Sequence, residues 1–262
     1  MSLPLLEARD LSIRFGGLVA LDGVDLTLGH SDVVCIIGPN GAGKSTLFNL
    51  ISGIYRPLRG SVHFDGRDIT SLPTHRIAAA GVVRTFQSSR LFEDLTVLDN
   101  VVIGMHSRTR TGVLTALLRP ATARAELKAA ARRAGDLLGG LSGDLYERRN
   151  TLAGALPQAD RRRLEIARAL ASEPKVVMLD EPSSGMDDRD TDQLVAEIRS
   201  VMAERPGLSF VIIEHDMRLV AALPERVMVI DYGRKIAEGH FADIRVMPRV
   251  QEAYLGHKAA HA

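Results

Sequence analysis

The sequence predicts an α/β fold around a buried, mainly parallel sheet, and three stretches predict it. Val33-Val34-Cys35-Ile36-Ile37, Val176-Val177-Met178-Leu179 and Leu208-Ser209-Phe210-Val211-Ile212-Ile213 are short apolar runs, as strands covered on both faces require. Each runs directly into residues suited to a strand's C-terminal edge. These are Gly38-Pro39-Asn40-Gly41-Ala42-Gly43-Lys44-Ser45-Thr46, then Asp180-Glu181, then Glu214-His215-Asp216.

The first of these edges carries the most specific chemistry. Residues 38–46 have the G-x-x-x-x-G-K-[ST] spacing of a phosphate-binding loop, set between a strand and an apolar-periodic helix starting with Leu47 and Phe48. Glycines let the backbone curl so that several N–H groups point at one polyphosphate, and the helix adds its positive end. Lys44 then reaches the outer phosphates and the Ser45 hydroxyl is a ligand for Mg²⁺. The expected ligand is ATP or GTP. In such a protein the acid ending a neighbouring buried strand, here Asp180, holds Mg²⁺, and Glu181 is placed to polarise a water against the γ-phosphate.

Bulk properties exclude several classes. The chain has 262 residues, 45% hydrophobic and 25% charged, with net charge +1, so neither nucleic acid nor anionic lipid is favoured as the main partner. No apolar run approaches the ~20 residues that span a bilayer, and Met1-Ser2-Leu3-Pro4 is no signal peptide. Cys35, the single cysteine, reads as a small core hydrophobe, which fits a cytoplasmic setting. There is no tryptophan and aromatics are 4%, which argues against stacking platforms for single-stranded nucleic acid.

In chain order, Leu5 to Phe15 reads as a strand bent at Asp10, turning at Gly16-Gly17 into a half-buried strand over Leu21 to Leu28. Phe15 either stacks on an adenine or caps the core. Ser61 to Phe64 is a short strand, Thr74 to Ala80 a helix ended by Gly81, and Val82 to Phe86 a strand. Gln87 follows it, an amide able to hold Mg²⁺ or the attacking water, or simply a surface glutamine. Thr96 to His106 is helical, with Thr96 and Asp99 forming a capping box. Ser107 to Pro120 lacks periodicity and reads as an insertion or mobile link; Ala121 to Leu138 is a helix ending at Gly139-Gly140. Helices over Asp160 to Ala171 and Gln193 to Ala203 follow. His215, at its strand's end, can contact a γ-phosphate. Val227 to Ile230 and Lys235 to Glu238 form a hairpin, Pro248 to Gly256 a short helix, and disorder is expected from His257.

The order of phosphate loop, Gln87, Asp180-Glu181, Ser183-Ser184-Gly185-Met186-Asp187 and His215 resembles the nucleotide-binding subunits of ABC transporters, over about residues 5–256. The resemblance implies a P-loop NTPase with an ABC-type ATPase core at about 5–90 and 160–240, an antiparallel β subdomain, a helical subdomain at about 91–159 and a C-terminal helix at 248–256. It implies that Phe15 stacks on adenine, Gln87 is the Q-loop, Glu181 the catalytic base, His215 the switch histidine, and Asp187 a contact to a second ATPase across a dimer. Arg14-Phe15-Gly16-Gly17, Arg84-Thr85-Phe86-Gln87 and Pro248 to Gly256 resemble, more narrowly, the ATPases of branched-chain amino acid importers, whose relatives carry urea, short amides or other amino acids. The expected cofactors are ATP and Mg²⁺. The expected partners are a second ATPase, two permease subunits and, indirectly, a solute-binding protein, at the cytoplasmic face of a membrane. A lipid or lipopolysaccharide exporter ATPase and a soluble non-transport ABC protein are the alternatives. The first is expected to lack the 107–125 insertion and this tail, and the second usually carries two cores or a long coiled coil.

One motif departs from the family. Where its signature reads L-S-G-G-Q, this chain has Leu156-Pro157-Gln158-Ala159-Asp160. Pro157 offers neither a hydroxyl nor an N–H to the partner's γ-phosphate, and Asp160 is expected to bring negative charge near a polyanion. One lost preorganised donor costs roughly 3 kcal/mol of transition-state stabilisation. An asymmetric pair with a non-identical ATPase is therefore expected.

Overall fold

The computed structural model describes residues 3–85, 91–106 and 120–259. In chain order the elements are β1 (Leu6–Phe15), β2 (Leu18–Leu28), β3 (Val33–Ile37), α1 (Lys44–Ile51), β4 (Arg59–Phe64), β5 (Arg67–Asp68), α2 (Thr74–Ala80), β6 (Val82–Arg84) and α3 (Val97–Gly104). After them come α4 (Pro120–Leu141), α5 (Gly143–Glu147), α6 (Gln158–Leu170), β7 (Val176–Asp180), α7 (Asp188–Glu204), β8 (Ser209–Ile213), α8 (Met217–Ala222), β9 (Arg226–Asp231), β10 (Arg234–Gly239), α9 (Phe241–Ile244) and α10 (Pro248–Ala259).

Two sheets organise them. One is antiparallel, in the order β2-β1-β4-β5; the other runs β10-β9-β3-β8-β7-β6, parallel except for the antiparallel edge strand β10. Strand alternation divides the core into two layers. Val34, Ile36, Val176, Met178, Val211 and Ile213 face α1 and the antiparallel sheet. Cys35, Ile37, Val177, Leu179, Phe210 and Ile212 face the helices of the other side, Val101 of α3 and Leu164 of α6 among them. Every residue of β3, β7 and β8 is buried, which is why those runs carry no polar alternation. Asp10 does bend β1: its φ is +51° at a register shift, and its N–H donates to Asp25 at 2.7 Å.

Element limits differ from the sequence reading where tertiary contacts outweigh local signals. β2 begins at Leu18, β4 at Arg59, and β6 ends at Arg84. Helix α4 continues through Gly139-Gly140 to Leu141, because Ala130, Ala134, Leu138 and Leu141 form a continuous buried stripe that offsets the glycines' poor propensity. Helix α6 begins at Gln158, with Pro157 outside it as the cap residue. Helix α7 begins five residues ahead of Gln193, at Asp188, because the Asp187 carboxylate accepts from the N–H of Asp190 and acidic residues fill the first turn. The last helix runs on through His257 to Ala259, where disorder was expected. The capping box of α3 is present as read: Thr96 Oγ1 accepts from the Asp99 N–H at 3.1 Å, and Asp99 Oδ2 from the Thr96 N–H at 3.3 Å. Of the stretch read as an insertion or link, residues 107–119 lie outside the described residues.

Candidate active site

The parallel sheet brings β3, β7 and β8 side by side, so the turns at their C-terminal ends share one edge. The turn after β3 needs its glycines. A side chain on Gly38 would start 2.0 Å from the Ile230 carbonyl oxygen, and one on Gly43, at φ +106°, 2.7 Å from that of Ala20. Gly43 then hands over to α1, whose first residue is Lys44. The hairpin between β9 and β10 braces this turn, with the Gly233 N–H donating to Ala42 and the Asp22 N–H to Gly233.

Lys44 is 8% exposed and its ammonium donates to the carbonyls of Gly38 at 2.7 Å and Pro39 at 2.8 Å. Burial lowers its pKa, while the nearby Glu181 and Asp180 carboxylates pull it back up. The strand-end acids are thus brought close enough to act electrostatically on the lysine. A cavity of about 460 Å³ opens over the loop, lined by Asn40 to Thr46, Glu181, Phe15, Leu18, Val19 and Tyr232. Phe15 is 45% exposed and meets the ring of Tyr55 edge-on, with centroids 5.2 Å apart. That leaves nearly half of its surface open at the cavity rim.

Asp180 and Glu181 sit in very different surroundings. Asp180 is 3% exposed, and its Oδ2 accepts from Arg84 Nη2 at 2.7 Å. Arg84 also donates to Asn49 Oδ1 at 2.6 Å and lies 5.2 Å over the Phe48 ring, so it ties β7 to α1. Glu181 adopts φ +50°, an uncommon conformation for this residue type, with its N–H donated to Ile213 at 2.9 Å. His215 is exposed, its Nδ1 4.0 Å from Glu181 Oε1 and 3.8 Å from Glu214 Oε2. Gln87 lies outside the described residues.

The departing signature sits at the start of α6. Leu156 is buried, Pro157 and Gln158 are exposed, and Ala159 is half-buried. Asp160 corrects the sequence reading: it is 7% exposed and turned inward, with Arg148 Nη1 at 2.8 Å and Arg163 Nη1 at 3.1 Å. Its charge is met by two guanidinium groups rather than left facing outward. Arg163 in turn reaches Asp190 at 3.0 Å and Glu197 at 3.2 Å, joining α6 to α7. Asp187 is exposed as the N-cap of α7.

Four residues of this region carry no role in the sequence reading: Arg84, Tyr55, Tyr232 and Glu214. Arg84 enters it only within the strand Val82 to Phe86 and the Arg84-Thr85-Phe86-Gln87 resemblance, Glu214 only as a polar residue at a strand end, and the two tyrosines lie in loops with no motif of their own.

No cluster of three or more histidine, cysteine or acidic side chains that could hold a metal occurs among the described residues. Ser45, Thr46 and Glu181 bring hard oxygen donors to the cavity lining, and the Asp180 carboxylate lies close enough to act on Lys44. So sparse a set fits Mg²⁺, which keeps most of its shell as water and substrate phosphate.

Residues 21–184 match the family described as ABC transporter, and residues 234–260 match the one described as branched-chain amino acid ATP-binding cassette transporter. The chain is 41% identical over 98% of its length, and 99% of the relative's, to the high-affinity branched-chain amino acid transport ATP-binding protein BraF of Pseudomonas aeruginosa. It is 40% identical to LivG of Escherichia coli K12, with the same coverage. The crystal structure of an ABC transporter's ATP-binding cassette in its ADP conformation superposes with a TM-score of 0.83 at 30% identity, covering 97% of this chain and 100% of that one. A nucleotide-free ATP-binding cassette gives 0.81, also at 30% identity, covering 96% and 99%. With the phosphate loop, the strand-end carboxylates and near full-length similarity in agreement, the chain belongs to the ATP-binding subunits of the ABC transporter family.

Proposed function

We propose that this chain is the ATP-hydrolysing subunit of an importer for branched-chain amino acids or related small polar or amide solutes. The observation that carries the reading is the convergence of the phosphate loop, Lys44 and Glu181 on one cavity. The match of residues 234–260 to the branched-chain family favours this cargo class over a lipid exporter or a non-transport role.

In the proposed mechanism the base of ATP stacks on Phe15 and the triphosphate lies along residues 38–46. Lys44 exchanges the Gly38 and Pro39 carbonyls for the outer phosphate oxygens, where charge develops. Glu181 orients and deprotonates a water for in-line attack on the γ-phosphate, beside His215. Ser45, Asp180 and Gln87 would hold Mg²⁺, which neutralises phosphate charge when bound. Asp187 and the outward residues of the departing signature, Pro157, Gln158 and Ala159, face a second ATPase. No helix among the described residues is long and apolar enough to cross a membrane, so two permease subunits would supply the pathway, with this chain at their cytoplasmic face and a solute-binding protein outside. A groove of about 440 Å³ between Ala78 and Ala79 of α2, Val83, Phe92 and Ile103 of α3 is the proposed seat of a permease helix. Phe92 is 51% exposed there, whereas Leu91 packs partly buried against the core.

The test is transport. Proteoliposomes holding the complete complex, with ATP on this chain's side and solute-binding protein on the other, are expected to accumulate leucine, isoleucine and valine. Accumulation of none of these and of no small amide overturns the reading.

The signature predicts a second result. This chain's Lys44 and Glu181 would work with the partner's signature, while the partner's nucleotide would meet Pro157, which has no hydroxyl to donate. Mutating the phosphate-loop lysine of each ATPase separately in the complex is expected to abolish most hydrolysis only for Lys44→Ala in this chain. Equal losses from the two lysines would exclude the asymmetry.

A further inference from the structure

We infer that Glu214 is a positioning residue that sets the geometry between Glu181 and His215; the inference rests on the hydrolytic reading above. Glu214 follows β8 and is 1% exposed. Its carboxylate is filled by donors from two loops. Oε1 accepts from the Ser183 N–H at 2.9 Å and the Ser183 hydroxyl at 2.6 Å. Oε2 accepts from the N–H groups of His215 at 2.7 Å and Asp216 at 3.0 Å. A carboxylate has about four lone-pair sites, and these contacts use them. Its backbone N–H completes the clamp by donating to Ile36 of β3, one residue before the strand's end.

The bonded segments are the ones that the chemistry needs. Ser183 stands two residues after Glu181, in the turn closed by the Ser184 N–H on the Glu181 carbonyl, and it opens the stretch leading to Asp187. His215 and Asp216 form the loop after β8, and Asp216 caps α8. Nothing covalent joins these loops at their tips; Glu214 does so through one rigid side chain. The 4.0 Å separation of His215 Nδ1 from Glu181 Oε1 is therefore spanned by a hydrogen-bonded bridge. A buried apolar residue of the same volume could fill the space but would leave four donors unmet.

Glu214→Gln tests this. The amide keeps the shape, but either orientation turns an NH₂ toward two donors, so one loop is released whichever way it sits. In the assembled transporter, kcat for ATP is expected to fall about 10–100-fold, the scale for loss of an orienting partner. The KM for ATP, and the affinity for a fluorescent ATP analogue, should stay within about 3-fold because the phosphate loop is untouched. Glu214→Asp, which keeps both oxygens on a shorter arm, is expected to be intermediate. Because Glu214 acts through the catalytic pair, combining Glu214→Gln with His215→Ala should cost less than the product of the single losses. An unchanged kcat, a parallel loss of ATP affinity, or full multiplicativity with His215→Ala would each overturn the inference. Glu181→Gln run alongside separates the two readings. If it keeps full turnover the hydrolytic reading fails, and if it loses turnover while Glu214→Gln does not, only the positioning role fails.

Discussion

Replacing Glu181 by glutamine is expected to lower ATP turnover at least ~10²-fold while ATP still binds, the scale of a lost general base. The side chain is 21% exposed and lines the cavity above the phosphate loop, and its backbone is locked by the N–H bond to Ile213. Glutamine keeps that size and can adopt the same rotamers, so the substitution removes proton acceptance and the negative charge that acts on Lys44. The groups proposed to hold the triphosphate, Lys44 and the loop N–H groups, are left in place. They lie in the turn after β3 and at the start of α1 rather than on β7. Steady-state phosphate release measured beside equilibrium binding of a fluorescent ATP analogue separates the two effects. A variant that hydrolyses ATP at the parental rate removes Glu181 from the role of base. A variant that no longer binds ATP means that the carboxylate supports the loop instead.

Much of this site was legible because its parts obey strong local rules. The phosphate loop is a contiguous motif, and the buried strands β3, β7 and β8 announce themselves as unbroken apolar runs. The capping box at Thr96 and Asp99 marked α3 through local hydrogen bonding alone. What stayed hidden depends on contacts distant in sequence. Asp160 reads as an exposed acid beside an anion; Arg163 is its i,i+3 neighbour on one helix, but only the fold brings Arg148 to it and turns it inward. The length of α4 past Gly139-Gly140 was masked for the same reason, since glycine propensity is local and the buried stripe is not. The start of α7 is hidden differently: its acidic opening, Asp188 to Asp192, carries no apolar periodicity, and the family resemblance gives Asp187 only as a dimer contact. Glu214 looked like one more polar residue at a strand end, although its carboxylate is filled by two loops. Family resemblance assigns roles to residues that touch nucleotide; it is silent on the residues that hold those in place.

Arg84→Met is expected to destabilise the chain by about 3–5 kcal/mol, the cost of leaving a buried carboxylate without its cation. The Arg84 and Asp180 side chains are 8% and 3% exposed, so water cannot replace the lost partner as it would at a surface pair. Methionine retains a flexible apolar stem while removing the guanidinium, and with it the charge, the contact over Phe48 and the hydrogen bonds to Asp180 and Asn49. Asp180→Asn should also destabilise, since it leaves the guanidinium buried with a weaker acceptor. The double variant Arg84→Met with Asp180→Asn carries no uncompensated charge and is expected to recover most of the loss. Urea unfolding of the four proteins without nucleotide gives the coupling directly, as a midpoint shift at constant slope. Additive losses would mean that the two charges do not rely on one another, and a single-variant loss below about 1 kcal/mol would place the pair among screened surface contacts. Strong coupling would mean that the strand-end aspartate is held in its buried position by a cation at the end of β6. The same arginine lines the groove proposed to seat the permease, so a partner pressing there would act on Asp180 through a single side chain.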